Sequence, residues 1–208
     1  MEAQRSVMVA DQLRARGITA ERVLAAMAEV PREEFVPVEL QRHAYEDHPL
    51  AIGGGQTISQ PFIVASMTQA LELDAGDVAL EVGAGSGYQA AILARLCRRV
   101  LTIERDPDLA ATAAANLARL GIENVEVRTG DGSLGAIDLA PYSAILVAAA
   151  ARRVPPALLE QLAVGGRMVI PVESAAPDQQ DLVLITREAS KYSSRVLFPV
   201  RFVPLVEG

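Results

Sequence analysis

Short apolar runs alternate with helix-length segments through the middle of the chain. The run 78–82 leads into Gly83-Ala84-Gly85-Ser86-Gly87, after which a helix is predicted to about Leu96. Further strands are predicted at 99–104, 125–128, 144–148 and 167–172, with helices at 107–120 and 156–163, the second of them ended by Gly165-Gly166. The run 144–148 is apolar throughout, which is typical of a strand buried on both faces. The alternation predicts an α/β fold with a doubly wound, mostly parallel sheet and helices on both faces.

The segments on either side of this alternation have different patterns. Residues 3–36 are predicted to be helical, because Val23, Met27 and Val30 recur on one helical face. Gly17 is predicted to end a first helix, and Thr19 is predicted to cap a second. Residues 37–60 contain prolines and three successive glycines. They predict an ordered loop or short strands before an apolar helix that Pro61 opens and that runs to about residue 73.

The last part of the chain is predicted to complete the sheet. Strands are predicted at 182–187 and 195–202 with no helix between them, so at least one of the two is expected to be antiparallel. We therefore expect a single domain over residues 1–208. It comprises an N-terminal helical annex and loop at 1–60, a core at 61–172 and C-terminal strands at 173–208.

Composition narrows the class of partner. The chain has 208 residues, a net charge of −7 and 4% aromatic residues without tryptophan. It contains no basic run, so it lacks the charge pattern of a nucleic-acid-binding protein. No apolar run approaches the ~18 residues of a membrane span, and the first residues do not resemble a signal peptide. We expect a cytoplasmic, monomeric protein that binds neither nucleic acid nor membrane.

Three residues that often bind metals are expected to be structural. His43 and His48 flank a short acidic segment, but their spacing matches no standard zinc pattern. Cys97 lies in an apolar helical stretch, where a thiol is usually an inert part of the core. No metal site is predicted.

The glycine-rich segment and three acidic residues indicate a ligand. A dinucleotide-binding fingerprint would need a glycine at position 88, where this chain has Tyr88. Glu81 precedes the loop and suits a positively charged amino group or a bound water. Glu104 ends the second strand and suits two ribose hydroxyls, and Asp131 follows the third strand and suits an adenine amino group. Each acid alone could be a helix cap or a solvated loop residue, but together they predict binding of S-adenosylmethionine (AdoMet).

Several segments resemble the protein-L-isoaspartate O-methyltransferases. They are GGGQTISQPFIVASMTQALEL from Gly53, LEVGAGSGYQAAILA from Leu80, the alanines at 148–151, residues 165–171 and VRFVPL from Val200. The glycine loop is shared by many AdoMet-dependent enzymes, whereas QTISQP at 56–61 is much more selective. The chain departs from the family pattern at Ala84 and Ala148, where threonine is usual, and at 173–180, which lacks the common glycine.

The resemblance implies a fold, an activity and a set of site residues. The fold is a Rossmann-like AdoMet-binding domain with added N- and C-terminal elements. The activity is transfer of a methyl group from AdoMet to the α-carboxylate of L-isoaspartyl residues in age-damaged proteins and peptides, which starts repair to normal aspartyl. The implied catalytic residue is Ser59. With the acids above, the predicted cofactor-binding residues are Gln56, Thr57, Ile58, Ser59, Glu81, Gly83, Gly85, Ser86, Gly87, Glu104, Arg105, Asp131 and Gly132.

The chemistry of methyl transfer defines what Ser59 would do. A carboxylate with a reference pKa near ~4 is already ionised at neutral pH, and the leaving group is a neutral thioether. Alignment and desolvation of the carboxylate are then the main requirements, so Ser59 is expected to orient it by hydrogen bonding. The alternative is that Ser59 caps the helix at Pro61. Alternative functions are methylation of a small molecule or RNA, AdoMet binding without catalysis, and a nicotinamide-dependent dehydrogenase.

Overall fold

The N-terminal part is helical and ends in a hairpin. The computed structural model describes residues 1–174, 176 and 178–208. Helix α1 (Glu2–Val7) continues as a π-helical segment and a 3-10 turn that ends at Gly17, whose φ is 95°. Helix α2 (Glu21–Glu29) is followed by two 3-10 segments. Strands β1 (Leu50–Gly53) and β2 (Gln56–Ile58) then form an antiparallel hairpin. The predictions of helix over most of 3–36 and of short strands within 37–60 are confirmed.

The prediction that Thr19 caps α2 is wrong. The cap position is Ala20, and no side chain of the same segment caps the helix. The chain just before the helix is held instead by the amide oxygen of Gln69, which accepts hydrogen bonds from the backbone N–H groups of Thr19 (2.7 Å) and Ala20 (2.9 Å). A residue 50 positions away from Thr19 therefore fixes the approach to α2.

A seven-stranded mixed sheet forms the centre of the molecule. Its strands are β3 (Val78–Val82), β4 (Arg99–Glu104), β5 (Val125–Thr129), β6 (Tyr142–Val147), β7 (Leu162–Glu173), β8 (Gln180–Arg187) and β9 (Tyr192–Val200). Their spatial order is β5-β4-β3-β6-β7-β8-β9. All neighbouring pairs from β5 to β7 are parallel, and both pairs that include β8 are antiparallel. The predicted mostly parallel sheet with antiparallel C-terminal strands is confirmed.

Helices join the strands and cover both faces of the sheet. They are α3 (Pro61–Leu71), α4 (Tyr88–Ala94), α5 (Pro107–Arg119) and α6 (Pro156–Gln161). On β3, Ala79 belongs to an apolar cluster with α2, α3 and α4, whereas Leu80 and Val82 belong to a second cluster with α6. Because neighbouring strand residues point to opposite faces, these clusters lie on opposite sides of the sheet. No helix of the described residues is long and apolar enough to cross a membrane.

The predicted end of the last helix needs correction. Helix α6 ends at Gln161, and β7 begins directly at Leu162, so Gly165-Gly166 lies within the strand. The register of β7 against β6 shifts between Tyr142 and Ala144. Gly165 has a φ of 82° at this irregularity, which glycine adopts without the steric cost of a side chain. The two glycines therefore lie at the irregularity of β7 and do not end the helix.

The N-terminal annex is joined to the core by arginines. Arg22 donates hydrogen bonds to the backbone oxygens of Leu73 and Leu96. Arg32 is fully buried, donates through Nε to the carbonyl of Ala44 and places its guanidinium carbon 5.0 Å from the centre of the Tyr88 ring. Tyr88 is the first residue of α4. The annex is thereby connected to the helix that follows the glycine-rich loop.

Candidate active site

A cavity lies at the carboxyl ends of the parallel strands, where ligands bind in open α/β sheets. It is bordered by the loops after β3 and β4, by hairpin β1–β2 and by a C-terminal segment at 203–206. Ten of the thirteen predicted cofactor-binding residues line it: Gln56, Thr57, Ile58, Ser59, Gly83, Gly85, Ser86, Glu104, Arg105 and Gly132. The structure therefore brings together residues from four separate stretches of the chain.

Two glycines are required by close packing around this cavity. Gly85 has a φ of 53°, and a Cβ atom there would lie 3.0 Å from Cδ1 of Ile52 on the hairpin. A Cβ atom on Gly132 would lie 2.4 Å from Cγ1 of Val82. A side chain at either position would push neighbouring elements apart. The hairpin and the loop after β5 can approach the cavity because both residues are glycine.

Glu104 holds the glycine-rich loop and faces the cavity. Its Oε2 accepts a hydrogen bond from the backbone N–H of Gly85 at 2.8 Å, and its Oε1 accepts one from Asp106 at 3.1 Å. The side chain is 8% exposed and lines the cavity. Each carboxylate oxygen has a further lone pair, which leaves room for ligand donors.

Glu81, which is predicted to contact the cofactor, lies outside the cavity lining. Glu81 lies between Thr102 and Leu146 in the sheet register, is completely buried and does not line the cavity. Neither carboxylate oxygen has a hydrogen-bond partner among the described residues. Burial raises the pKa of Glu81 to about 8, so the group is mostly protonated at neutral pH. It is a neutral acid beneath the loop, not an ionic partner in the cavity.

Asp131 and Gly87 also lie outside the cavity lining. The carboxylate of Asp131 accepts hydrogen bonds from the N–H (2.9 Å) and hydroxyl (2.7 Å) of Ser133 and from the N–H of Gly208 (2.8 Å). The carboxylate that is predicted to contact adenine therefore already binds the C-terminal segment. Gly87, with a φ of 93°, is the cap residue at which α4 begins.

The C-terminal segment crosses the cavity and is anchored along its length. The N–H of Ala150 donates to the carbonyl of Val203 at 2.8 Å, and the N–H of Leu205 donates to the carbonyl of Ala150 at 2.7 Å. Arg105 donates to the carbonyls of Val206 and Gly208 at 3.3 and 2.8 Å. Sequence reasoning missed residues 203–206 as part of the cavity. The motif VRFVPL was the available signal, but it did not show which site it would join.

Ser59 lies where the cavity meets a second space, which we call the aromatic groove. The groove is lined by Arg16, Phe62, Phe198, Arg201 and Phe202 among others, and it shares Thr57, Ser59, Ala148 and Val203 with the cavity. The cap position of α3 is Gln60, without a side-chain hydrogen bond, so the alternative that Ser59 caps this helix is wrong. Its hydroxyl is therefore not used by the helix start.

Ser86 supplies another hydroxyl at the cavity. Its Oγ is buried without a hydrogen-bond partner among the described residues, and the residue lines the cavity. A buried polar atom without a partner is unfavourable unless a ligand or water satisfies it. The site therefore contains an unused donor beside the glycine-rich loop.

The two histidines form a separate surface cluster. His43 Nδ1 and His48 Nε2 each lie 2.8 Å from a carboxylate oxygen of Glu46. The hydrogen bond with the Pro49 carbonyl, together with Glu46, raises the pKa of His48. Within the described part of the chain, no group of three or more His, Cys, Asp or Glu side chains could hold a metal ion. Cys97 is buried as predicted, and burial raises the pKa of its thiol to about 11.

Comparison with known proteins identifies the family. A sequence profile for protein-L-isoaspartate(D-aspartate) O-methyltransferase (PCMT) matches residues 3–208. The chain belongs to this family. The protein-L-isoaspartate O-methyltransferase 2 of Pelobacter propionicus is 53% identical over 99% of this chain and 91% of its own length.

Solved structures agree with the assignment to the PCMT family. One named protein-L-isoaspartate O-methyltransferase superposes with a TM-score of 0.86 at 30% identity and covers 96% of this chain and 65% of that one. A second, assigned to PCMT from Plasmodium falciparum and bound to S-adenosyl-L-homocysteine, has a TM-score of 0.85 at 28% identity and covers 99% of both chains. The predicted family and the Rossmann-like methyltransferase fold are therefore confirmed.

Proposed function

We propose that this chain transfers the methyl group of AdoMet to the α-carboxylate of L-isoaspartyl residues in damaged proteins and peptides, which starts their repair to normal aspartyl. The observation that carries the proposal is the position of Ser59 at the junction of two spaces. The cavity on one side has the glycine-rich loop and Glu104, and the groove on the other side is open to a peptide. Membership of the PCMT family supports this activity.

The residues around the cavity fit AdoMet. Glu104 offers carboxylate oxygens at the end of β4, which is where ribose hydroxyls are bound in such sheets. Ser86 offers a buried hydroxyl that has no other partner among the described residues, and Gly85 and Gly132 line the cavity without side chains. AdoMet supplies an activated methyl group on a sulfonium. The related structure from Plasmodium falciparum, which contains S-adenosyl-L-homocysteine, supports this ligand class.

Ser59 is the group that would orient the substrate carboxylate. The isoaspartyl α-carboxylate is ionised at neutral pH and needs no base. A hydrogen bond from the Ser59 hydroxyl would hold one carboxylate oxygen and leave the other directed into the cavity. The apolar lining of the groove, with Phe62, Phe198 and Phe202, would remove water from the carboxylate and so make it a better nucleophile. Catalysis would then rest on alignment rather than on proton transfer.

The test is transfer of a tritiated methyl group to a synthetic isoaspartyl peptide and to its normal aspartyl twin. We expect AdoMet-dependent labelling of the isoaspartyl peptide only, and release of the label as methanol under mild base, because the product is an ester. Equal labelling of both peptides, or of neither, would contradict the proposal. Labelling of RNA or of small carboxylic acids in place of the peptide would favour the alternative methyltransferase functions.

A further inference from the structure

The aromatic groove carries positive charge in an acidic protein. The chain has a net charge of −7, yet the described residues that line the groove include two arginines, Arg16 and Arg201, and no aspartate or glutamate. A site lined by one sign of charge attracts ligands of the opposite sign. The charged side chains that line the groove are therefore opposite in sign to the net charge of the chain. The two arginines have different surroundings.

Arg16 is already paired. Its guanidinium forms an ion pair with Asp47 and lies over the ring of Phe62, with 3.8 Å between the guanidinium carbon and the ring centre. Asp47 also accepts a hydrogen bond from the backbone N–H of Phe62 at 3.3 Å. These contacts hold Arg16 in place along the groove, and Asp47 already supplies an ion-pair partner for its charge.

Arg201 is different because its side chain is exposed and unpaired. No hydrogen bond or ion pair of its side chain to the rest of the described chain is present, although its backbone is held on both sides. Val200 pairs with Gln180 at the end of β9. The Gln180 amide also binds the backbone of Phe202 twice, accepting from its N–H at 2.6 Å and donating to its carbonyl at 3.2 Å. A free guanidinium thus extends from a fixed backbone position at the groove.

We infer that Arg201 determines substrate preference: it favours isoaspartyl sites that have an acidic residue close to them in the sequence. The inference rests on the proposed function and concerns the residues around the methylated carboxylate rather than that carboxylate itself. Because Val203 and Ser59 line both spaces, a peptide whose isoaspartyl group reaches Ser59 extends along the groove past Arg201. An aspartate or glutamate of that peptide can then form an ion pair with Arg201, the groove arginine that has no partner among the described residues.

The experiment compares isoaspartyl hexapeptides that differ at one position. Glutamate, glutamine or lysine is placed next to the isoaspartyl residue, on either side, and kcat/KM is measured at saturating AdoMet. We expect the wild-type protein to prefer glutamate over lysine by about two- to fivefold on one side, the size of one exposed ion pair. The preference should weaken as salt is raised from 0.05 to about 0.5 M, because exposed charges are screened.

Two variants at Arg201 and one matched control complete the test. Arg201→Gln should abolish the preference, and Arg201→Glu should reverse it in favour of lysine. Arg195→Gln is the control. Arg195 lies on β9, is exposed like Arg201 and does not line the groove, and its substitution changes the net charge by the same amount. It should keep the wild-type preference.

Two results would overturn the inference while leaving the proposed function intact. They are equal kcat/KM for glutamate and lysine peptides in the wild-type protein, and equal loss of preference in Arg201→Gln and Arg195→Gln. If the wild-type protein methylated none of the isoaspartyl peptides, the proposed function would fail, and the inference would fail with it. A melting temperature and an AdoMet affinity equal to those of the wild type would show that Arg201→Gln is folded.

Discussion

Two glutamates on neighbouring strands, Glu81 in β3 and Glu104 at the end of β4, lie in contrasting surroundings. Glu104 accepts hydrogen bonds from Gly85 and Asp106 and faces the cavity. Glu81 has no hydrogen-bond partner among the described residues and is enclosed in the sheet beneath the loop. Burial raises its pKa to about 8. The difference teaches that the position of an acid along its strand decides its surroundings: Glu104 at the end of β4 faces the cavity, whereas Glu81 within β3 is enclosed.

The largest effect is expected for Glu81→Gln. The folded-state pKa of Glu81, about 8, is above its ordinary value of 4.5. The folded protein therefore binds more protons between these values, and its stability falls as pH rises through that window. Each pH unit is worth ~1.4 kcal/mol, so Glu81→Gln should exceed the wild type in stability by as much as ~4 kcal/mol near pH 8 and match it near pH 4.5.

Urea unfolding of both proteins at pH 5, 6, 7 and 8 measures this difference. Stability curves that run parallel across the pH range would contradict the buried, neutral state of Glu81. AdoMet affinity at pH 6 is the second readout, and it should be unchanged in Glu81→Gln. A tenfold loss of affinity in a stable variant would restore Glu81 as a ligand contact and remove the contrast with Glu104.

A smaller but still large effect is expected for Glu104→Ala. If Glu104 binds the ribose as proposed, the change removes two hydrogen bonds to ribose hydroxyls, each worth ~1.5–3 kcal/mol before water replaces them. It also removes the acceptors for the backbone N–H groups of Gly85 and Asp106. AdoMet affinity measured by calorimetric titration should fall about 100-fold. Glu104→Gln keeps one acceptor and should lose less. Unchanged affinity in a folded Glu104→Ala protein would mean that Glu104 serves the loop and not the ligand.

Ser59→Ala extends the contrast from the cofactor to the substrate. In the proposed role, the Ser59 hydroxyl donates one hydrogen bond to the substrate carboxylate, worth roughly 1.5–3 kcal/mol. Single-turnover methyl transfer by Ser59→Ala should therefore slow by about 10- to 150-fold. AdoMet affinity and thermal stability should stay close to wild type, because the hydroxyl does not cap α3. A lowered melting temperature with normal transfer would make Ser59 structural.

The smallest effect is expected for Arg105→Ala, at the rim of the cavity. Arg105 donates to the carbonyls of Val206 and Gly208 from an exposed position, so its contribution is modest, about two- to fivefold in rate or affinity. The dissociation rate of S-adenosyl-L-homocysteine, followed by stopped-flow displacement, should rise by that factor. Arg98→Ala, an exposed arginine that does not line the cavity, is the control. Equal rates in both variants would show that this anchor does not retain the ligand.

The parts of the site formed by one continuous stretch of chain were predictable from the sequence. Strand β3, its loop and α4 follow each other directly, and α5 begins at Pro107 as predicted, with the Asp106 side chain accepting from the N–H groups of Asp108 and Leu109. Such signals are local, because a cap or a loop acts within a few residues. The predicted position of Glu104 at the cavity follows from the same local order of strand, loop and helix.

The parts that were missed depend on residues far apart in the sequence. Gln69 holds the backbone before α2 from 50 positions away, and the carbonyl of Val203 accepts a hydrogen bond from Ala150, which follows β6. The burial of Glu81 could not be predicted for a related reason. A strand that is buried on both faces is apolar on both, so its pattern does not show which face an acid joins. Only the packing of α3 and α4 over that face decides that Glu81 is enclosed.

The path of residues 203–206 across the cavity has a practical consequence for work with this protein. The N–H of Gly208 donates a hydrogen bond to the carboxylate of Asp131, and the carbonyl of Gly208 accepts one from Arg105. Any segment that follows Gly208 directly, such as a purification tag, would therefore start at the rim of the cavity and disturb both contacts. Affinities measured on a fusion of this kind would reflect the added segment as well as the ligand. A tag that is removed before the assay leaves the two contacts of Gly208 as the structure shows them.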